Sequence, residues 1–143
     1  MADIHHLIPI SAPVGKVVPL VSTGAGFAKW WAEDVTEISD GVVELAFFNR
    51  ATIWRFRRHP SSSGSETLWT CETGTEWKGT SLRFTIAPDK NGSTLRFSHL
   101  DWPAESDFFT ACNTTWGGLM FRLKSAAEGK NPGPLFSKSG VGY

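Results

Sequence analysis

No stretch of this sequence approaches the roughly 20 consecutive apolar residues that a membrane-crossing helix needs, so membrane insertion is not expected. Neither sign of charge prevails: 14 Lys and Arg stand against 14 Asp and Glu, for a formal net charge of zero. A neutral chain lacks the long-range field that draws nucleic acid or an anionic surface. Cysteine is scarce, with only Cys71 and Cys112 present, isolated and without CxxC spacing. Together with His5, His6, His59 and His99 they show none of the zinc-ligand spacings. A disulfide scaffold, a metal centre and a cofactor are therefore not expected, and a reducing, cytoplasmic compartment is the simplest reading. The opening Met1-Ala2-Asp3-Ile4-His5-His6 also lacks the charged-then-apolar order of a secretion signal. G-x-S-x-G, a phosphate-binding glycine loop and H-E-x-x-H are all missing, so no familiar catalytic signature is written in the chain.

Aromatic residues, by contrast, are abundant: seven Trp and ten Phe among 143 residues. They carry more apolar area than a solvated chain leaves in water. A domain of this length hides about 70% of its unfolded surface, enough to enclose a core and even a cavity. One domain is expected over residues 1–130, followed by a Gly-, Pro- and Ser-rich tail over residues 131–143 with no periodicity.

Along the chain, Ile4 to Ile10 has strand character, and Ser11-Ala12-Pro13 opens a short helix to about Val21. A second short helical piece after Ser22-Thr23 carries Phe27, Trp30 and Trp31. From Val35 to Leu100 short runs alternate with turn chemistry at Ser39-Asp40-Gly41, Asn49-Arg50, Ser61 to Ser65 and Asp89-Lys90-Asn91-Gly92, which predicts an antiparallel meander. The clearest strands are Ser81 to Ala87 and Ser93 to Leu100, where Leu82, Phe84, Ile86, Leu95, Phe97 and His99 share the dry parity. After Asp101-Trp102-Pro103 the period becomes helical. Phe109, Cys112, Trp116, Leu119, Met120, Leu123 and Ala127 form one stripe of a helix of about 25 residues, ended by Gly129 and Pro132 and long enough to cross a sheet of six or seven strands. The order predicts an α+β fold in which one long helix covers one curved sheet, with a pocket between them.

Several motifs along this order resemble those of the START/SRPBCC superfamily (helix-grip, Bet v 1-like), in the branch of the activators of the heat-shock protein ATPase. Ile10-Ser11-Ala12-Pro13 with Val17 resembles the entry to the first short helix, and Phe27 with Trp30-Trp31 the aromatic motif that follows. Trp77-Lys78-Gly79-Thr80 resembles a W-x-G-T strand start. Thr94-Leu95-Arg96-Phe97-Ser98-His99 with Trp102 resembles the penultimate strand, and Phe109, Cys112, Trp116, Leu119, Leu123, Glu128 and Gly129 the closing helix. The resemblance covers residues 1 to about 130 and implies a helix-grip fold whose cavity holds lipids, sterols, polyketides or other apolar molecules. It fixes no reaction, because one fold hosts many functions.

Alternation and helical phase give the expected cavity wall: Trp54, Phe56, Trp69 and Cys71 from middle strands, Phe84 and Phe97 from later ones, and Phe109, Cys112, Trp116 and Met120 from the helix. The same side chains could equally interdigitate into a solid core. Trp30 and Trp31, if helical, point about 100° apart, so that at most one fits fully in the core; the pair is either a hydrophobic plug between the short helices and the sheet or, through the outer ring, the gate of a pocket mouth. His99 projects inward, either as a hydrogen-bonded core residue or as an acid or base near neutral pH. Arg50, Arg55, Arg57, Arg58 and His59, interleaved with Trp54 and Phe56, could form a stacking and phosphate surface, but strand alternation accounts for them without nucleic acid. Gly117-Gly118 in mid-helix costs on the order of 2 kcal/mol relative to two alanines.

The leading expectation is a cofactor-free domain that binds a small hydrophobic or aromatic molecule between helix and sheet. The rival is a chaperone-cofactor or other protein-interaction module with a filled core. A third is a polyketide cyclase- or hydrolase-like enzyme using His99, for which no second titratable partner stands out. A homodimer through a sheet edge or the tail is compatible with the sequence.

Overall fold

The computed structural model describes residues 2–60 and 64–142, so the turn expected at Ser61 to Ser65 falls in part, at Ser61 to Ser63, outside the described residues. The elements run β1 (Ala2–Ile10), α1 (Val14–Ser22), α2 (Gly24–Phe27), β2 (Asp34–Ser39), β3 (Val42–Phe47), β4 (Thr52–Arg58), β5 (Glu66–Cys71), β6 (Ser81–Asp89), β7 (Gly92–Trp102), α3 (Asp107–Ala127), β8 (Phe136–Ser137) and β9 (Gly140–Val141). Strands β1 to β7 form one antiparallel sheet in the order β1-β7-β6-β5-β4-β3-β2. Five sequential hairpins build the meander, and β1 then closes on β7, which is the α+β helix-grip arrangement expected.

The alternation read in β6 and β7 is realised: Leu82, Phe84, Ile86, Leu95, Phe97 and His99 are all buried. Phe84 lies opposite Phe97 in the register, so the dry faces stack across the pair. Beyond His99 the alternation breaks. Ile4 pairs with His99 but Ala2 with Trp102, which leaves an extra residue on β7. Asp101 takes it up at φ +68°, and its N–H donates to Asp3 Oδ1 at 2.9 Å. This bulge turns Trp102 inward, where strict alternation would have placed Asp101.

Helix α1 forms despite Gly15 and Pro19 because Val17, Leu20 and Val21 are buried on one side. Its last carbonyls, which have no partner within the helix, are taken by side chains. Trp30 Nε1–H donates to Leu20 O at 2.9 Å, Trp69 Nε1–H to Val21 O at 2.8 Å, and the Arg58 guanidinium to Ser22 O. Thr23 caps α2, accepting from Gly26 N–H at 2.9 Å. Gly26 permits the close approach of α2 to α1, since a Cβ there would sit 2.1 Å from Pro19 O. Helix α2 ends at Phe27, so the one-ring limit, which assumed a helix, does not apply to the next two tryptophans. Trp30 and Trp31 lie in the turn after it, both fully buried at 0% and 1% exposure, with rings stacked 5.8 Å apart at 20°. The turn still carries the bond Trp31 N–H to Phe27 O at 2.8 Å, and both rings are enclosed because the core surrounds the turn: Trp31 packs against Phe47, Phe56 and Trp116, and Trp30 against Phe27 and Phe84.

Helix α3 has 21 residues, or about 31 Å, somewhat shorter than expected. Ser106 Oγ caps it by accepting from Phe109 N–H at 3.2 Å. At the other end Lys124 bridges Glu128 at 2.8 Å and donates to Pro9 O, while Glu128 accepts from Ser11 N–H at 2.7 Å. Phe109, Trp116, Leu119, Met120, Leu123 and Ala127 are buried as the stripe predicts, with Cys112 half-buried. Beside Gly117 the nearest group is the His6 ring, 3.7 Å from where a Cβ would stand, and nothing lies near Gly118.

The segment from 131 to 143, read from sequence as a tail, is docked over residues 135–142. Leu135 N–H donates to Trp30 O and Phe136 N–H to Trp31 O, while Glu33 N–H donates to Phe136 O. Leu135 is buried. Arg122 reaches from α3 to the carbonyls of Pro132, Gly133 and Gly142 at 3.1, 2.6 and 2.9 Å. These bonds run to backbone from elements far away in sequence, so no local periodicity announces them.

Candidate functional site

Most of the space between sheet and helix is filled by rings. Phe97 lies 4.3 Å from Trp116, Trp31 5.0 Å from Trp116, Phe84 5.0 Å from Phe97, and Phe27 5.2 Å from Trp69, centroid to centroid. Offset and edge-to-face packing of this kind is the close packing of a core.

Space remains at one end, in a cleft of about 270 Å³ between the first half of α3, strands β3 and β4, the β5–β6 loop and the docked C-terminal hairpin. Its walls are Trp31, Phe47, Phe48, Thr52, Trp54, Trp77, Phe108, Ala111, Cys112, Thr115, Trp116, Leu119, Phe136 and Val141. Of the twelve residues expected to line a cavity, Trp54, Cys112 and Trp116 are in this wall. Trp30, Phe56, Trp69, Cys71, Phe84, Phe97, His99, Phe109 and Met120 are buried in the packed interior instead. Parity places them on the dry side, but whether a facing wall touches them depends on neighbours that parity does not encode.

Trp77 is the principal wall residue that alternation missed, because it sits in the β5–β6 loop rather than at a strand start. Besides the W-x-G-T resemblance, its signal in the sequence is an aromatic ring within the otherwise polar run Glu72-Thr73-Gly74-Thr75-Glu76 and Lys78. The ring stacks on Trp54 at 3.7 Å and 9° and packs edge-on against His99 at 4.5 Å. Gly74, at φ +100°, lets the loop cover Trp54, since a Cβ would lie 2.6 Å from the Trp54 indole. Phe48, a wall residue of the cleft, opens a turn in which Phe48, Asn49 and Arg50 all take positive φ, at 53°, 54° and 68°. Three consecutive non-glycine residues in that region are strained. The turn holds Phe48 60% exposed at the rim, edge-on to Phe136 at 6.1 Å.

His99 sits behind this wall with both nitrogens engaged. Trp116 Nε1–H donates to His99 Nδ1 at 3.1 Å, and His99 Nε2 lies 2.8 Å from Thr80 Oγ1, which itself donates to Trp77 O at 2.6 Å. The only consistent assignment is a neutral ring protonated on Nε2. Burial pushes its pKa down to about 3. A ring with no free nitrogen has no proton to exchange with a bound molecule, so the geometry gives His99 a structural place.

Burial raises both thiols. Cys71 goes up to about 11, moderated by its bond to Thr73 O, and Cys112 up to about 11, moderated by the Trp77 indole N–H. Neither has the thiolate character of a nucleophile. Among the described residues no three His, Cys, Asp or Glu side chains are grouped to hold a metal ion. The arginines of β4 and of the turn before it are paired: Arg50 with Asp34 at 2.9 Å, Arg55 with Glu44 at 2.9 Å, Arg57 with Glu72 at 2.8 Å and Arg58 with Asp40 at 3.5 Å. Arg58 also lies over the Trp69 ring at 5.7 Å. These pairs spend the charge that a phosphate surface would need.

No protein-family model and no curated protein matches the sequence. Solved structures do. The Aha1 dimer from Colwellia psychrerythraea matches with a TM-score of 0.79 and 26% identity, covering 91% of this chain and 98% of that one. A Chromobacterium violaceum protein matches at 0.74 and 19%, over 90% and 99% of the two chains. A START superfamily protein from Mycobacterium smegmatis matches at 0.68 and 12%, over 90% and 96%. With the seven-stranded sheet, the two short helices after β1 and the long closing helix, this chain is structurally similar to Aha1 and to START-superfamily proteins of the helix-grip, SRPBCC type.

Proposed function

We propose that this protein binds a small hydrophobic or aromatic molecule, lipid-, sterol- or polyketide-like in character, in the cleft between α3 and strands β3 and β4. The observation that carries this reading is the contrast inside the molecule: the aromatic interior is close-packed, yet about 270 Å³ beside it stays open. Aromatic and aliphatic side chains make up most of its wall. Leaving such a wall wet costs roughly 25 cal/mol for each Å² of apolar surface, and a preformed apolar cleft with few polar groups is the usual form of a small-molecule site. The strained turn that starts at the wall residue Phe48 fits the same reading, since strain of this kind gathers at binding sites. The resemblance to START-superfamily folds is consistent with it, and a cytoplasmic location is part of the proposal.

Native mass spectrometry of the purified protein, with organic extraction, tests the proposal, alongside titration with naphthalene. Ala111 lies in the wall but is exposed, so Ala111→Trp blocks the cleft without disturbing the core. Binding by the wild type, lost in an equally stable Ala111→Trp protein, supports the reading; equal binding by both refutes the location.

A second reading, an interaction module, draws on the similarity to a protein solved as a dimer and on the exposed Phe121 of α3. Sedimentation at micromolar concentration decides whether this chain self-associates.

A further inference from the structure

Trp77 carries a polar atom that the packing leaves unanswered. Its Nε1–H is buried with no hydrogen-bond partner. Buried donors are almost always paired, and an unpaired one is destabilising. The buried indoles of Trp30, Trp69 and Trp116 obey the rule, donating to Leu20 O, Val21 O and His99 Nδ1. Trp102 shares the lack of a partner but is not part of the cleft wall. Trp77 is part of it. Its ring cannot turn the N–H out to water, because Trp54 stacks on its face at 3.7 Å, His99 meets it edge-on at 4.5 Å and Trp116 lies beside it at 6.0 Å. The polar group this N–H acts on is the Cys112 thiol, also in the cleft wall, and a thiol is a poor acceptor.

We propose that the cleft is selective for flat aromatic ligands carrying a neutral hydrogen-bond acceptor, a carbonyl oxygen or an aromatic nitrogen, and that the Trp77 indole N–H is the donor that reads it. The inference rests on the binding reading above and adds a ligand class to it. Flatness follows from the stacked and edge-on rings that dominate the wall, Trp54 on Trp77 among them. Neutrality follows from charge: among the described residues no Lys, Arg or His lines the cleft, so an anionic group would be desolvated there without a counter-ion. Cys112 turns aside about its χ1 as the acceptor displaces the thiol.

Naphthalene and isoquinoline have nearly the same shape and differ in one acceptor nitrogen, which makes them the probes. Their dissociation constants are measured by calorimetry or NMR titration at pH 7.5 with the wild type and with Trp77→Phe, which keeps a ring in the stack but has no N–H. The preference for isoquinoline over naphthalene is expected to fall about tenfold in Trp77→Phe. In ¹⁵N-labelled wild type the assigned Trp77 indole proton should move downfield with isoquinoline and not with naphthalene. Should Trp77→Phe fail to fold, that wild-type shift decides alone. Equal preference in both proteins with no selective shift overturns the inference and leaves the binding reading standing. No binding of either probe overturns both.

Discussion

His99 couples the aromatic core to pH in a way that can be worked through. Its folded-state pKa lies near 3, against 6.5 for the free side chain, because burial disfavours the charged ring. The unfolded chain therefore binds the proton first, and stability rises with pH wherever the unfolded state holds more protons. Above 6.5 neither state is protonated and the full stability is present. As the pH falls from 6.5 toward 3, the unfolded state is progressively favoured. At pH 5 the loss from this one group is about 2 kcal/mol, a figure set by the unfolded pKa alone while the native ring stays neutral. Urea denaturation of wild type and His99→Gln at pH 7.5 and pH 5 isolates it, since the carboxylates titrate alike in both proteins. The wild type should lose about 2 kcal/mol more than the variant between the two conditions. Identical pH dependence, or a His99 ring that titrates near 6.5 by NMR in the native wild type, would refute the reasoning.

Two further outcomes follow from the walls of the cleft. Gly74→Ala forces a side chain into a backbone at φ +100° with a Cβ 2.6 Å from the Trp54 indole. It should cost about 1 to 3 kcal/mol, visible as a lower urea midpoint, and no change would mean that the loop does not need its glycine. Arg122→Ala removes three bonds from a guanidinium to the C-terminal segment. Amide exchange over residues 135–142 should rise at least tenfold while β6 and β7 are unchanged, since bonds to charged donors contribute about 1.5 to 3 kcal/mol each. Unaltered protection there would show that Leu135 and Phe136 hold the hairpin by packing alone.

Much of the fold was legible because it is written in local periods. The two-residue alternation of Leu82 to Ile86 and Leu95 to His99, and the helical stripe from Phe109 to Ala127, each report a buried face whatever the rest of the chain does. The same patterns explain why the basic run on β4 is an ordinary outer face: Arg55 and Arg57 alternate with the buried Phe56, and Glu44 on β3 and Glu72 just past β5 meet them.

The candidate site was less legible. Sequence set the number of aromatic rings and the side of the sheet on which most of them lie. It could not say which rings touch one another and which border empty space, because that depends on the distance between elements far apart in the chain. Tertiary structure alone decided that Trp30 and Trp31 share the core, that a bulge at Asp101 turns Trp102 inward, and that Trp77 in a polar loop faces the cleft. It also decided that an aperiodic C-terminal segment folds back to supply Phe136 and Val141 to the wall. A period encodes the direction of a side chain, whereas a cavity is what remains when all the directions have been assembled in three dimensions.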